Sequence, residues 1–334
     1  GFFLIFVFFA ISFFGYFELT FPSSWTNKTD KMASKGGLIG IFFMAFTLAL
    51  VSFSCTGPII GSLLVGAVQE GVRGPFFGML GFALALALPF TLFAVFPKWL
   101  NSVPQSGGWL ETVKKFLGFL ELAFALKVLS IADMTQHWGI LKYETFIILW
   151  ILIFLVMGLY LVGVIKFKKE GPVKIGWTRR VIGLASLAFT AYMTIGMVNQ
   201  KPLLAGLAPP PGYSLFNPTE CPIGVNVCFH DYEEGMAYAR QNNQPVMLDF
   251  TGHGCVNCRL MESKVWNDDE VNLLLNKYVI ISLYVDDKKE LPLEKQYTSI
   301  ATGRTKEIKR VGKYWHDFQF RHFGTLSQPY YVLV

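Results

Sequence analysis

The sequence predicts a multi-span α-helical membrane domain followed by an α/β domain, and two observations support this fold class. Long uncharged runs fill residues 1–200 of the 334-residue chain, which is 53% hydrophobic and only 16% charged. That composition is not expected of a single soluble domain. Residues 230–334 instead combine short apolar runs of strand length with helical patterns, as in an α/β domain.

Six membrane spans are predicted in the first 200 residues. A helix needs ~20 predominantly apolar residues to cross a bilayer, and the uncharged runs near or above that length are 1–17, 36–69, 74–97, 145–165 and 181–200. A sixth segment, 109–132, is apolar but carries Glu121 and Lys127, to which no role is assigned. Because the chain begins inside an apolar run and ends in a strand-like one, we expect it to be an interior piece of a longer protein.

Basic residues in the loops predict the orientation of these spans. The loops 22–35, 98–115 and 166–180 carry most of them, namely Lys28, Lys31, Lys35, Lys98, Lys114, Lys115, Lys166, Lys168, Lys169, Lys174, Arg179 and Arg180. The opposite loops carry Arg73 and Lys142. Because cytoplasmic loops are enriched in Lys and Arg, the chain after residue 200 is predicted to lie outside the cytoplasm. The basic excess therefore indicates a protein embedded in membrane lipid, and no nucleic-acid partner is expected.

Cys255 and Cys258 form a C-x-x-C motif between the apolar run 246–250 and the helical pattern 259–265. A strand leading into a helix that opens with C-x-x-C is typical of a thioredoxin-like redox site. The first thiolate attacks a disulfide and the second resolves the mixed disulfide, and a helix N-terminus lowers the pKa of the first thiol. The alternative is half of a zinc site, which would need a second tightly spaced ligand pair; Cys221 and Cys228 are spaced more widely.

A proline-rich linker, 201–229, is predicted between the two domains. It contains Pro202 and the proline triplet 209–211, and polyproline is stiff enough to act as a semi-rigid spacer that holds domain 230–334 off the membrane. Cys221 and Cys228 lie at the end of this linker. In an oxidising compartment they are predicted to form a structural disulfide; an auxiliary redox pair is the alternative.

The uncharged run 36–69 is too long for one simple span, and its middle contains Cys55 followed by Gly57 and Pro58. Proline cannot continue a regular helix, so we expect two half-helices or a kink with Cys55 at the break. Broken helices at membrane depth are tolerated where they line a cavity or pack in protein. A small core cysteine is the alternative, but the C-x-x-C motif downstream favours a membrane thiol that passes electrons to it.

The motifs of both halves together resemble the DsbD-type transmembrane protein-disulfide reductases. In that family a multi-span electron-transfer domain precedes a periplasmic thioredoxin-like domain. Strand 246–250 followed by Cys255-Val-Asn-Cys258 resembles the family's active site, and Cys55-Thr-Gly-Pro58 resembles the second cysteine motif of the DsbD and CcdA electron carriers. The resemblance extends over essentially the whole chain.

The resemblance also implies roles for three further residues. Asp249 stands where thioredoxin-like folds keep a buried acid, Glu262 stands where the family has an acid near the thiols, and Pro329 stands where a cis-proline faces the active-site cysteines. Two features depart from the family. Two of its eight spans and the partner of Cys55 are missing, which we attribute to truncation, and Gly254 replaces the usual tryptophan before the first active-site cysteine.

The function implied by the resemblance is a relay of dithiol–disulfide exchanges. Cytoplasmic thioredoxin reduces a membrane cysteine pair within domain 1–200, that pair reduces Cys255–Cys258, and the latter reduces periplasmic disulfide-bearing acceptors, including those of cytochrome c-type biogenesis. Such a protein lies in the bacterial inner membrane and requires no metal, flavin or haem. The catalytic residues are then Cys255, Cys258, Cys55, Asp249 and Glu262, with Pro329 in the binding of substrate.

Two other classes of function remain open from the sequence. One is a membrane-anchored metal-binding chaperone that uses the four cysteines after residue 200. The other is a transporter with a regulatory thioredoxin-like domain, for which solute flux would survive the loss of Cys55.

Overall fold

The structure of the protein is a computed structural model, which describes residues 2–15, 73–95, 107–167, 176–199, 203–219, 221–222, 224–300 and 305–334. Cys55 and the whole run 36–69 lie outside the described residues. The chain divides into two compact units, Phe17–Gly107 and a second unit made of Gly1–Tyr16 with Gly108–Val334. Of the first unit, the structure describes essentially one helix, α2 (Arg73–Val95).

The second unit begins with helices that are apolar over most of their length. They are α1 (Phe2–Phe13), α3 (Gly107–Gln136), α4 (Tyr143–Val162) and α5 (Trp177–Val198). Among the described residues, α4 and α5 are long and apolar enough to cross a membrane. These two helices pack closely at Gly158, where an added Cβ would lie only 2.8 Å from Leu187 Cδ2. Small residues such as glycine allow this close approach of membrane helices.

Helix α3 is longer than the span predicted over 109–132. Its 30 residues correspond to about 45 Å, whereas the hydrocarbon core of a bilayer is ~30 Å thick. The C-terminal turns of α3, from Ile131 onward, contact the α/β domain (described below). By length and composition, α3 is not among the two described helices that could cross a membrane, α4 and α5, so the span predicted over 109–132 stays a prediction.

The α/β domain contains a four-stranded sheet in the order β1-β3-β2-β6. Strands β1 (Cys228–Phe229), β2 (Val246–Thr251) and β3 (Val279–Tyr284) are parallel, and β6 (Tyr330–Leu333) pairs antiparallel with β2. Because β2 and β3 lie in the middle of the sheet, almost all of their residues are buried, as is typical of central parallel strands. The sheet starts at Cys228, just before the boundary predicted at residue 230.

Four helices and a small hairpin complete this domain. The helices are α6 (Tyr232–Asn242), α7 (Val256–Lys264), α8 (Asp269–Leu275) and α9 (Val311–Phe323). A 3-10 turn at Leu293–Lys295 precedes the hairpin of β4 (Tyr297–Ser299) and β5 (Lys306–Ile308). Phe250 is fully buried in the largest apolar cluster of the domain, which also contains Trp315 of α9. This core fixes β2 and therefore the position at which the chain leaves β2 for the C-x-x-C motif.

The linker is packed against neighbouring helices and does not have the extended form that its proline triplet predicts. Residues 203–219 fold back onto the ends of α3 and α4: the Tyr213 hydroxyl donates to Asp133 Oδ2 at 2.8 Å, and the backbone N–H of Tyr143 donates to the Tyr213 carbonyl at 2.9 Å. Leu203 is buried in the same apolar cluster as Met193 of α5. Side-chain contacts of this kind outweigh the local stiffness of the proline triplet, so the linker is a packed segment and not an extended spacer.

The α/β domain contacts the end of α3 directly. The backbone N–H of Lys288 donates to the Thr135 carbonyl at 3.1 Å, and His137 Nε2 lies 2.9 Å from Asp287 Oδ1. A Cβ added at Gly254 would lie 3.3 Å from Ile131 Cγ2. Because even a Cβ would contact Ile131 tightly, the absence of a side chain at Gly254 permits the close approach of the active-site loop to the helix.

Candidate functional site

The C-x-x-C motif lies where the sequence predicts it, at the transition from β2 to α7. Cys255 is the N-cap of α7, and the backbone N–H of Cys258 donates to its Sγ at 3.1 Å. The two cysteines form a disulfide. Cys255 is half-buried, whereas Cys258 is 1% exposed. An attacking thiol must be accessible and benefits from the positive end of a helix, and of the two cysteines Cys255 is the one that has both properties.

The loop before the motif is anchored by Asp286. Its two carboxylate oxygens accept the backbone N–H groups of His253 and Gly254, each at 2.8 Å. The ring of His253 stacks on Tyr284 at 4.1 Å between centroids, and burial lowers the pKa of this imidazole to about 4. The loop is therefore held in place by two charge-assisted hydrogen bonds, which are stronger than neutral ones, and it carries a neutral histidine next to the thiols.

Asp249 is a buried acid on the central strand β2. It is 1% exposed, and its Oδ2 accepts a hydrogen bond from Ser282 Oγ at 3.2 Å. Its Oδ1 has no partner among the residues that the structure describes. Burial, reinforced by the charge of Glu262, raises the pKa of Asp249 to about 7. An acid that is half-protonated near neutral pH can both give and take a proton.

Glu262 is held close to this acid by a buried ion pair that sequence reasoning missed. Arg259 Nη2 lies 2.8 Å from Glu262 Oε1 and donates to Thr251 Oγ1 at 3.1 Å. Burial raises the pKa of Glu262, and the charge of Arg259 opposes that shift. The signal in the sequence is an arginine directly after Cys258 with a glutamate three residues later, which places both on one helix face. Hydropathy alone assigns an arginine to the surface, whereas this one is 7% exposed.

The structure places Pro329 at the same end of the sheet as the motif. The Gln328–Pro329 peptide is cis, as the resemblance implies. Tyr330, the first residue of β6, pairs with Phe250 near the end of β2. Because β2 continues from there into the active-site loop, Pro329, directly before β6, lies at the end of the sheet where that loop starts.

Cys221 and Cys228 form the second disulfide. Cys228 belongs to β1 and pairs with Ile280 of β3 in the sheet, and both cysteines pack against the apolar cluster that contains Trp266 and Ile280. The disulfide thus ties the end of the linker to the edge of the sheet. The structural role and the auxiliary redox role of this pair both stay predictions.

A cavity of 220 Å³ lies between the linker and the α/β domain. The proline triplet Pro209–Pro211 and Cys221 line one side, and Arg259, Glu262 and Tyr284 line another. On the linker side, Gly206 approaches α7 so closely that a Cβ added there would lie 3.0 Å from Val256 Cγ1. The linker therefore covers the face of α7 that carries the ion pair.

Two family models match the chain. The model described as "Cytochrome C biogenesis protein transmembrane domain" matches residues 1–132, and the model described as "Thioredoxin-like" matches residues 228–310. The first match includes Cys55, and the second includes Asp249, Cys255, Cys258 and Glu262.

Several curated bacterial proteins are similar to most of the chain. The thiol:disulfide interchange protein DsbD of Vibrio vulnificus (strain CMCP6) is 26% identical over 301 residues, which are 87% of this chain and 46% of that protein. The protein of the same name from Campylobacter jejuni (strain RM1221) is 24% identical over 289 residues, 85% of this chain and 47% of that protein. That of Pectobacterium atrosepticum is 27% identical over 293 residues, 86% of this chain and 46% of that protein.

The chain thus spans about half the length of the curated relatives it matches. Both domains predicted from the sequence, the helical membrane domain and the α/β thioredoxin-like domain, are supported by these matches. A single similarity to proteins of one name thus extends through both domains, and over 87% of its length the chain is similar to a thiol:disulfide interchange protein DsbD.

Proposed function

We propose that the protein is a protein-disulfide reductase that carries reducing equivalents across the bacterial inner membrane. Cytoplasmic thioredoxin is the donor, and periplasmic disulfide-bearing proteins are the acceptors, among them proteins of cytochrome c-type biogenesis. The observation that carries the proposal is the position of the C-x-x-C disulfide, at the N-terminus of α7 in a loop packed against α3. A redox pair at the surface of a membrane helix is well placed to receive electrons from a pair within the membrane.

The exchange proceeds in two balanced steps. In the first, the Cys255 thiolate attacks a sulfur of the acceptor disulfide, forming a mixed disulfide and releasing one acceptor thiolate, which takes up a proton. In the second, the Cys258 thiolate attacks Cys255 Sγ, which releases the second acceptor thiolate and leaves the Cys255–Cys258 disulfide. Two electrons and two protons reach the acceptor, and a membrane pair that includes Cys55 then returns Cys255 and Cys258 to the dithiol.

The second step needs a proton acceptor, because Cys258 is buried and must lose its proton before it can attack. We assign this role to Asp249 and Glu262. Burial holds the pKa of Asp249 at about 7, so this carboxyl group can exchange protons near neutral pH. Burial also raises the pKa of Glu262. Arg259 keeps Glu262 oriented, and the cavity lined by Glu262 gives this proton a path toward solvent.

Replacing Asp249 by asparagine should make the reduced thiols more reactive above pH 7 and leave them unchanged below pH 6. In the wild type, Asp249 becomes negatively charged as the pH rises through about 7, and a negative charge nearby raises a thiol pKa. Asparagine removes this charge, so the apparent thiol pKa should fall by about 1 unit. The rate of iodoacetamide alkylation, measured from pH 5 to 10, reports the shift.

The matched control for this experiment is Asp269→Asn, an acid exposed in the first turn of α8. Its alkylation profile should overlay that of the wild type. Glu262→Gln should also change the profile, because it leaves the buried Arg259 charge without its partner. Wild-type curves for both Asp249→Asn and Glu262→Gln would remove these acids from the mechanism.

Membrane vesicles with the whole protein in one orientation test the proposed direction of electron flow. Reduced thioredoxin is supplied on the face that bears the basic loops, and the state of Cys255 and Cys258 is measured by gel-shift alkylation. We expect the pair to become reduced only when thioredoxin is present on that face. Reduction from the opposite face alone would reverse the proposed topology, and solute flux without a change in thiol state would favour the transporter alternative.

A further inference from the structure

Three side chains of metal-binding type meet where the end of α3 contacts the thioredoxin-like domain. His137 follows α3, His253 lies two residues before Cys255, and Asp287 follows β3. One ring nitrogen of each histidine and a carboxylate oxygen of Asp287 lie within 4.8 Å of one another. We propose that these three residues bind a divalent transition-metal ion of the zinc class, and that the ion fastens the thioredoxin-like domain to α3.

The chemistry of the three donors suits such an ion. Imidazole nitrogen and carboxylate oxygen bind zinc at 2.0–2.2 Å, and three protein ligands with one further open position make a common zinc site. Tetrahedral geometry at these bond lengths separates the ligand atoms by about 3.3 Å. His137 Nε2 and Asp287 Oδ1 are already 2.9 Å apart, so the site closes around an ion mainly through a small movement of the His253 ring.

His253 supplies the strongest argument, because its hydrogen bonding is incomplete. Its Nε2 is shut off from solvent and has no hydrogen-bond partner among the described residues. The ring is held by its stacking on Tyr284, with 14° between the planes, and the backbone of the loop is held by Asp286. A buried polar atom without a partner is costly, and a metal ion at this position would satisfy it.

The simpler interpretation of the cluster is an ion pair between His137 and Asp287. That pair explains two of the three residues and leaves His253 Nε2 without a partner. The ring of His253 also packs edge-on against that of His137, at 5.9 Å between ring centroids. A shared ion would join the two rings in this arrangement. The consequence of such an ion is mechanical: it would link α3 to the loop that carries Cys255 and hold the redox pair against the membrane helices.

Zinc binding by the whole protein in detergent tests the proposal. The chain has five cysteines, of which four are held in disulfides when the protein is oxidised. Alkylation of Cys55, and of every other free thiol of the whole protein, leaves no cysteine able to bind metal. After chelator treatment, zinc is added in competition with a colorimetric chelator, and the metal retained after desalting is counted. We expect one ion per chain.

Three variants remove one ligand each, namely His253→Ala, His137→Asn and Asp287→Asn. Asparagine is chosen for position 137 because the backbone there has φ of 57°, which asparagine tolerates. Loss of an outer-shell partner weakens metal binding by about 10–100-fold, so loss of a ligand should weaken it by about 100-fold or more. His322→Ala, an exposed histidine of α9, should bind zinc like the wild type.

Hydrogen–deuterium exchange gives a second test that needs no variant. Zinc should slow exchange in both 131–138 and 284–290 of the wild-type protein, because the ion would join these two segments. Retention of no zinc by the wild type, or equal retention by the three ligand variants and His322→Ala, would overturn the proposal. Zinc retained without slower exchange in either segment would place the ion elsewhere and overturn it equally.

Discussion

Cys258→Ala is expected to accumulate a covalent adduct with disulfide-bearing partners, and Cys255→Ala is not. Cys255 is the N-cap of α7 and is half-buried, whereas Cys258 is 1% exposed. The accessible thiol at the helix N-terminus forms the mixed disulfide, and the buried thiol resolves it. Without Cys258 the adduct persists, and repeated reduction of a disulfide substrate should fall to the rate seen without the protein.

Non-reducing gels of the two single variants, incubated with a disulfide-bearing protein, report this difference. The double variant Cys221→Ala, Cys228→Ala is the matched control, because it removes the other disulfide of the thioredoxin-like domain and leaves the C-x-x-C motif intact. It should show neither a trapped adduct nor a loss of turnover. Equal trapping by Cys255→Ala and Cys258→Ala would contradict the assignment. Lost turnover in a control that keeps the circular dichroism spectrum and melting temperature of the wild type would give Cys221 and Cys228 a redox role.

Local sequence patterns predict the C-x-x-C site well because its geometry is local. A short apolar run before Cys255 and a helical pattern after Cys258 are enough to place a strand and a helix N-terminus around the motif, and β2 and α7 lie there. The cis peptide before Pro329 follows the resemblance in the same way. Each of these features depends on a few neighbouring residues, which a sequence displays directly.

The contacts between α3 and the thioredoxin-like domain could not be predicted in this way. Ile131 and Gly254 are far apart in the chain, and each looks unremarkable in its own segment: one is an apolar residue of a span, and the other is a glycine in a loop. Only the packing of the two domains shows that Gly254 leaves space for Ile131. The sequence predicts the linker as a spacer for the same reason, because the partner of Tyr213, Asp133, lies in a distant helix.

Arg259 shows a different limit of sequence reasoning. A charged residue is buried only where a partner compensates the cost of removing it from water, and the partner has to be known before the burial can be predicted. Glu262 and Thr251 supply this compensation. The family resemblance implies the acid at Glu262 but not its basic partner. Through its hydrogen bond to Thr251, Arg259 links the helix that carries the thiols to the buried strand that carries Asp249.

Cys55→Ser in the full-length protein is expected to leave Cys255 and Cys258 oxidised in living cells. Cys55 lies outside the described residues, so this prediction rests on the helix break that the sequence Gly57-Pro58 predicts and on the match of residues 1–132 to the model described as "Cytochrome C biogenesis protein transmembrane domain". Serine is close to cysteine in size but cannot form a disulfide. If Cys55 belongs to the membrane pair, its loss removes the route by which electrons reach Cys255–Cys258 from the cytoplasm.

Gel-shift alkylation of the thioredoxin-like domain in cells measures the redox state of that pair. The purified Cys55→Ser protein, reduced chemically, should still reduce a disulfide substrate once, because Cys255 and Cys258 are intact. This second measurement separates a broken relay from a misfolded protein, which would fail both tests.

Ser54→Ala, the neighbouring substitution that leaves the thiol in place, is the matched control and should keep the pair reduced. If Cys255 and Cys258 remain reduced when Cys55 is serine, electrons reach them by another route, and Cys55 is then the small core cysteine that its apolar surroundings in the sequence also predict.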